Sequence, residues 1–182
     1  MAAIIGLTDE LVAEVCQEAA CCGIVEAVNF NSPGQVVIAG EKAAVEKACT
    51  IAKDKGAKRA LMLAVSAPFH SSMMKPASVA LKAKLQETPM KAPAVDVIAN
   101  VDVTVHPQTE DIIDALAAQA AGAVQWVKTI EAMKTMGVTH IVECGPGRVL
   151  AGLVKRIDAS IVVKNINSQE TLESVLEELK AA

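Results

Sequence analysis

Ile24-Val25-Glu26-Ala27-Val28-Asn29-Phe30 and Gln35-Val36-Val37-Ile38-Ala39 are two β-rich runs separated by Asn31-Ser32-Pro33-Gly34. Val, Ile and Phe suit a pleated, half-buried surface. The Pro-Gly pair supplies one residue of fixed φ and one free to take positive φ, which is turn chemistry. The pattern predicts two adjacent strands over residues 24–30 and 35–39. Working outward, residues 2–7 read as a buried strand, and Thr8 or Asp9 is placed to cap a helix running to about residue 20. On the other side, residues 41–55 put Val45, Ala48, Cys49 and Ala52 on one helical face and Lys and Glu on the other. Gly56 ends that helix, and residues 59–65 supply a fourth strand. The order β-α-β-β-α-β is that of a ferredoxin-like unit.

From Ser66 the pattern changes. A helix is expected over residues 71–87, then Pro89, Pro93 and a short strand at 95–99. Helices at 110–121 and 124–136 break near Gly122. A strand at 140–144 runs into Gly145-Pro146-Gly147 and a helix to about Arg156. A last strand at 161–164 precedes a helix that Ser168 caps and that ends near Lys180. Three short strands for about five helices make a thin sheet, one suited to completing a larger α/β layer.

Composition narrows the function. Of 182 residues, 52% are hydrophobic but only 2% aromatic, and there is no Tyr. Ala, Val, Ile and Leu must therefore fill the core, as in apolar strands covered by helices. A net charge of −4 and a pI near 5.4 lack the clustered basic residues of a nucleic-acid binder. Phe30, Phe69 and Trp126 are the only aromatics, too few for a base-stacking platform. Cys16, Cys21, Cys22, Cys49 and Cys144 show no C-x-x-C spacing, and the adjacent Cys21 and Cys22 are poorly placed for a structural bridge. Buried thiols in a reducing cytoplasm are expected, and with three histidines no metal cluster is. The first seven residues are too short and too poor in basic groups for a secretory signal. The longest uncharged apolar stretch, residues 115–127, is shorter than a membrane span. A soluble chain is expected.

Val65-Ser66-Ala67-Pro68-Phe69-His70-Ser71-Ser72-Met73-Met74 places one histidine at the end of an apolar run, with hydroxyls after it. An imidazole there is eligible as a general base, although by default it reads as a histidine closing a strand and bonded to a backbone carbonyl. Ser66, Ser71 and Ser72 read as turn or capping hydroxyls, since no G-x-S-x-G elbow is present to expose a nucleophile. Gly145-Pro146-Gly147-Arg148 before a helix is a weak anion-binding signal and by default a strand-to-helix turn. Asn29, Asn31 and Ser32 fit turn chemistry but also concentrate polar groups that a ligand can use. Glu173, Glu177 and Glu178 read as the solvated face of the last helix.

Taken in order, Asn29-Phe30-Asn31-Ser32-Pro33-Gly34-Gln35-Val36-Val37-Ile38-Ala39-Gly40, Ala57-Lys58-Arg59-Ala60-Leu61, Val65-Ser66-Ala67-Pro68-Phe69-His70, Val124-Gln125-Trp126 and Glu143-Cys144-Gly145-Pro146-Gly147 resemble the malonyl-CoA:acyl carrier protein transacylase family of fatty-acid synthesis. The resemblance covers essentially the whole chain. It implies an α/β fold in which a ferredoxin-like subdomain, residues 1–64, precedes the C-terminal part of a hydrolase-like α/β core, residues 65–182. The implied reaction moves a malonyl group from CoA to the phosphopantetheine thiol of acyl carrier protein through a malonyl-serine ester. His70 matches the catalytic histidine, and Gln125 the position whose backbone carbonyl orients it. Asn29 and Asn31 match residues near the substrate entry. No bound cofactor is implied; malonyl-CoA and phosphopantetheinylated acyl carrier protein are the substrates, and the location is cytoplasmic.

The family's serine elbow, malonyl-binding arginine and oxyanion loop have no counterpart in these 182 residues. The chain is accordingly expected to be inactive by itself, a base without its nucleophile. Where the family usually has a Leu-Tyr pair and a residue before Pro, Ala120-Ala121-Gly122-Ala123 stands here, with less volume and rigidity near the carbonyl that orients His70. Two other readings stay open: a non-catalytic ferredoxin-like module that self-associates through its core face, and half of a split enzyme.

Overall fold

A two-residue turn, Pro33-Gly34, closes the hairpin, with Ser32 opposite Gln35 and Gly34 at φ 72°. In the computed structural model, which describes residues 1–181, this hairpin belongs to a four-stranded antiparallel sheet of order β2-β3-β1-β4. The strands are β1 (Ala2–Ile5), β2 (Val25–Ser32), β3 (Gln35–Gly40) and β4 (Arg59–Met62). Between them lie α1 (Asp9–Ala19), continued by a 3-10 turn at Ala20–Cys22, and α2 (Lys42–Asp54). The element order is therefore the β-α-β-β-α-β read from the sequence, with β2 one residue longer and β4 three shorter than expected. Thr8 caps α1, its hydroxyl accepting from the Leu11 amide at 3.3 Å.

Alternation along β3 builds the core. Val36 and Ile38 point into a cluster with Ile4, Val12, Val15, Val45 and Ala48, while Val37 and Ala39 face the other side with Val28. Each fully buried Val or Ile there contributes about 1.5–3 kcal/mol relative to exposure. Only Cys16 and Cys49 follow the expectation of buried thiols; Cys21, Cys22 and Cys144 are exposed, and all five are free. Burial lifts the Cys16 thiol to about 11.

The described chain divides into one compact unit over Met1–Thr129 and a second beginning at Ile130. The boundary read at residues 64 and 65 falls inside the first. After β4 that unit continues through a 3-10 turn (Ser72–Met74) into α3 (Lys75–Gln86), then β5 (Ile98–Ala99), β6 (Thr104–Val105) and α4 (Thr109–Ala121). The β5–β6 hairpin carries a strand that no sequence signal announced. Its turn holds Val103 at φ 60°, an unusual conformation for a β-branched residue. The Val103 amide donates to the Ala99 carbonyl at 2.8 Å, and Asp102 bonds both the Thr104 amide and His106.

α5 (Trp126–Thr135) runs across the division. The second unit then holds β7 (His140–Cys144), α6 (Val149–Ile157), β8 (Val162–Ile166) and α7 (Gln169–Ala181). β7 and β8 pair in parallel, and Leu153, Val154, Ile161 and Val175 are its buried apolar residues besides Ile130. Lys134 and Asp158 form an ion pair there. That ammonium and the Ser160 hydroxyl and amide hold the Asp158 carboxyl down at about 2. No described helix is long and apolar enough to cross a membrane.

Candidate active site

His70 sits in the loop between β4 and α3, with its backbone in the left-handed region at φ 65°. A non-glycine residue there carries strain that its surroundings must hold. Three contacts hold it. Ser71 is fully buried, and its hydroxyl donates to the Pro68 carbonyl at 2.6 Å. The Ser72 amide donates to the Glu26 carboxylate on β2 at 2.7 Å. In α3, the Ser78 hydroxyl donates to the Ala117 carbonyl of α4 at 2.6 Å. Ser71 thus serves the loop through its hydroxyl and Ser72 through its backbone amide.

The imidazole Nδ1 lies 2.8 Å from the backbone carbonyl of Gln119. Gln119 is in the last turn of α4, where carbonyls lack an intrahelical partner and carry the negative end of the helix dipole. A carbonyl can only accept, so in this contact Nδ1 carries the hydrogen, and in the neutral ring Nε2 keeps its lone pair. The Gln119 side-chain amide donates to the Gly122 carbonyl at 3.1 Å, fastening the turn just after the helix.

This arrangement corrects one expectation. Gln125 was matched to the carbonyl that orients His70, but its oxygen is taken by the Thr129 amide and hydroxyl, each at 2.9 Å. Gln125 stands immediately before α5, so its carbonyl accepts the first helical bond and is not free to reach an imidazole. Gln125 acts instead as a fixed point: its amide donates to the Asn100 carbonyl at 2.9 Å. The Val124 amide donates to Val28 at 2.8 Å, and Val124 accepts from the Phe30 amide at 3.0 Å. This covers the free edge of β2. Gly122 makes the tight turn between the two helices. A Cβ there would stand 2.7 Å from Val101 Cγ2 and 2.9 Å from the Ala118 carbonyl. The Ala120-to-Ala123 departure therefore coexists with a short His70–Gln119 contact.

Asn29 and Asn31 lie half-buried on β2, where register shifts interrupt the pairing with β3 around Val28 and Asn31. Such bulges re-aim side chains and are frequent beside active sites. Asn29 also bridges to Val124, so it belongs to the same wall as the segment leading into Gln125. Sequence reasoning missed Gln119 and Glu26. The first works through its backbone, which no side chain announces; the second is an ordinary strand glutamate.

The glycine loop of the second unit is not an open anion site. The Glu143 carboxylate accepts from the Leu150 and Ala151 amides at 3.1 and 2.9 Å, capping α6 from within the chain. Gly145 and Gly147 take positive φ to make that turn. Glu173, Glu177 and Glu178 are exposed, with Glu178 paired to Lys164.

No family model matches the chain. Among curated proteins, the malonyl CoA-acyl carrier protein transacylase of Escherichia coli (strain K12) is 49% identical over 177 residues, covering 97% of this chain and 57% of that protein. Among solved structures, the acyl-carrier-protein S-malonyltransferase from Burkholderia pseudomallei 1710b matches with a TM-score of 0.95 at 55% identity, over 97% of this chain and 57% of its own. A malonyl-transacylase solved in complex with a type II PKS acyl-carrier protein matches with a TM-score of 0.95 at 46% identity, with the same coverage of 97% and 57%. The chain thus spans little more than half the length of these relatives. In sequence and in fold the chain is similar to the C-terminal part of the longer malonyl CoA-acyl carrier protein transacylases.

Proposed function

We propose that this chain supplies the histidine half of an acyltransferase that moves a malonyl group from CoA to the phosphopantetheine thiol of acyl carrier protein. The observation that carries the reading is the 2.8 Å contact between His70 Nδ1 and the Gln119 carbonyl, at a histidine held in a left-handed backbone. That bond leaves Nε2 as a base. In the proposed cycle Nε2 takes the proton of a serine hydroxyl as the serine attacks the malonyl thioester. The C-terminal carbonyls of α4 stabilise the imidazolium so formed. The ring then protonates the departing CoA thiolate. In the second half-reaction it deprotonates the pantetheine thiol, which attacks the malonyl-serine ester.

The serine comes from the region that the longer relatives have beyond the matched part. Gln119, not Gln125, is the orienting residue in this scheme, while Asn29 and Asn31 border the approach of the acyl donor. Acyl carrier protein as partner is supported by the complex of a similar transacylase. A cytoplasmic setting suits three exposed free thiols. Leu63, Val65, Phe69 and Met73 near His70 are exposed, and they suit either an apposed serine-bearing region or a second copy of this chain.

Intact-mass measurement after incubation with malonyl-CoA tests the reading. The 182-residue chain by itself should take no malonyl group. Mixed with the serine-bearing part of a relative, it should drive malonylation there, and His70→Ala should lower that rate by about 10²–10⁴-fold. A malonyl ester on this chain, at Ser71 or Ser72, would overturn the division of labour. No labelling in the mixture, together with a stable dimer in sedimentation, would put the assembly module ahead.

A further inference from the structure

Cys21 and Cys22 close the 3-10 turn that ends α1, both exposed, with their sulfurs 3.7 Å apart. We propose that this adjacent pair is a dithiol site for trivalent arsenicals, chelating one arsenic atom between the two sulfurs. Trivalent arsenic is pyramidal, with bond angles smaller than tetrahedral, so it draws the two sulfurs slightly closer than they stand, a shift that rotation of one exposed side chain supplies.

Three observations select this chemistry. An internal disulfide is disfavoured, because adjacent Cα atoms across a trans peptide are about 3.8 Å apart, below the roughly 4.4 Å that disulfides need. The pair therefore stays available as thiols. Among the described residues no third His, Cys, Asp or Glu completes a metal cluster, so a tetrahedral cation such as zinc would lack half its protein ligands. A monosubstituted arsenical needs only two. Finally, the pair is mounted on a fixed corner. Gly23 turns at φ 126°, the Ile24 amide donates to the Glu41 carboxylate at 3.0 Å, and the Glu41 amide donates to the Ile24 carbonyl at 2.8 Å. Little ordering remains to be done on binding. The Cys21 sulfur, as hydrogen-bond partner, raises the Cys22 pKa above the ordinary thiol value, so Cys22 is a neutral thiol near neutral pH.

With phenylarsine oxide the step balances without oxidant or reductant. The arsenic–oxygen bonds break, two arsenic–sulfur bonds form, and both thiol protons leave with the oxygen as one water molecule. Arsenic stays trivalent.

The test incubates the folded 182-residue chain with phenylarsine oxide and follows intact mass and peptide maps. One phenylarsenic group should be retained on the native chain and on Cys144→Ser, resisting excess monothiol but released by a dithiol. Cys21→Ser and Cys22→Ser, both at exposed positions, should each weaken retention by roughly 10²–10⁴-fold, since the second sulfur binds intramolecularly. Undiminished binding in either variant would overturn the proposal. So would an adduct that forms only in denaturant, which maps to buried Cys16 and Cys49.

Discussion

The βαββαβ unit and the region that follows it are built from the same residue types yet finished to different degrees. In the first, four strands and two helices enclose Ile4, Val12, Val15, Val36, Ile38, Val45 and Ala48 completely. In the second, strands pair only in twos, and Val95, Val97 and Val149 are 73, 55 and 72% exposed. The loop with His70 lies at the junction and is fastened from both sides, by Glu26 on β2 and by Gln119 and Ala117 on α4 with its neighbour α3. The βαββαβ unit thus helps hold the His70 loop, the proposed half-site, in place.

The sharpest way to break this contrast is a pair of truncations. Ile38→Ala, inside the closed core, should cost about 2–5 kcal/mol in denaturant unfolding, whereas Val149→Ala should stay within about 0.5 kcal/mol. Equal losses would mean that the second region is as tightly packed as the first. Next in size is Gly122→Ala, whose Cβ meets Val101 and the Ala118 carbonyl. Overpacking there should cost about 1–3 kcal/mol. It should also shift the His70 imidazole signals in NMR spectra while the β1–β4 resonances stay in place.

Two pH dependences separate the regions further. The Cys16 thiol is raised from 9.0 to about 11 in the folded chain, first by burial and then by Glu26. Its neutral form is favoured by folding, so that contribution is intact below pH 9 and is lost as pH climbs through 11. Chemical denaturation across that window should show falling stability, and Cys16→Val should flatten the slope. At the acid end the sign reverses. Asp158 is lowered from 3.8 to about 2, first by Lys134 and then by Ser160. Its contribution is present above pH 3.8 and disappears as pH falls through 2. Asp158→Asn should remove this smaller effect, read from signals of β7 and β8.

The closed unit was legible in the sequence because every level agreed: alternating strands, a Pro-Gly turn, a Thr cap and an amphipathic helix ending at a glycine. The later region was legible in its helices but less in its strands. Residues 104–105 are too short a strand to produce a pattern, and residues 95–97 lack a partner strand. At the site, His70 stood out by residue type and setting. Its orienting partner did not, since a carbonyl in the last turn of a helix depends on where the helix stops. Gly122 marks that stop, and counting back from it leads to Gln119. Gln125 looked eligible only until the start of α5 at Trp126 claimed its oxygen.

The most direct measurement is the tautomeric state of His70, read from nitrogen-15 NMR of the imidazole in the neutral form. The account predicts a proton on Nδ1 and a bare Nε2, with the Nδ1 signal altered by Gly122→Ala. A proton on Nε2, or a ring exchanging freely between tautomers, would contradict it, because neither fixes the lone pair on Nε2 as the proposed base requires.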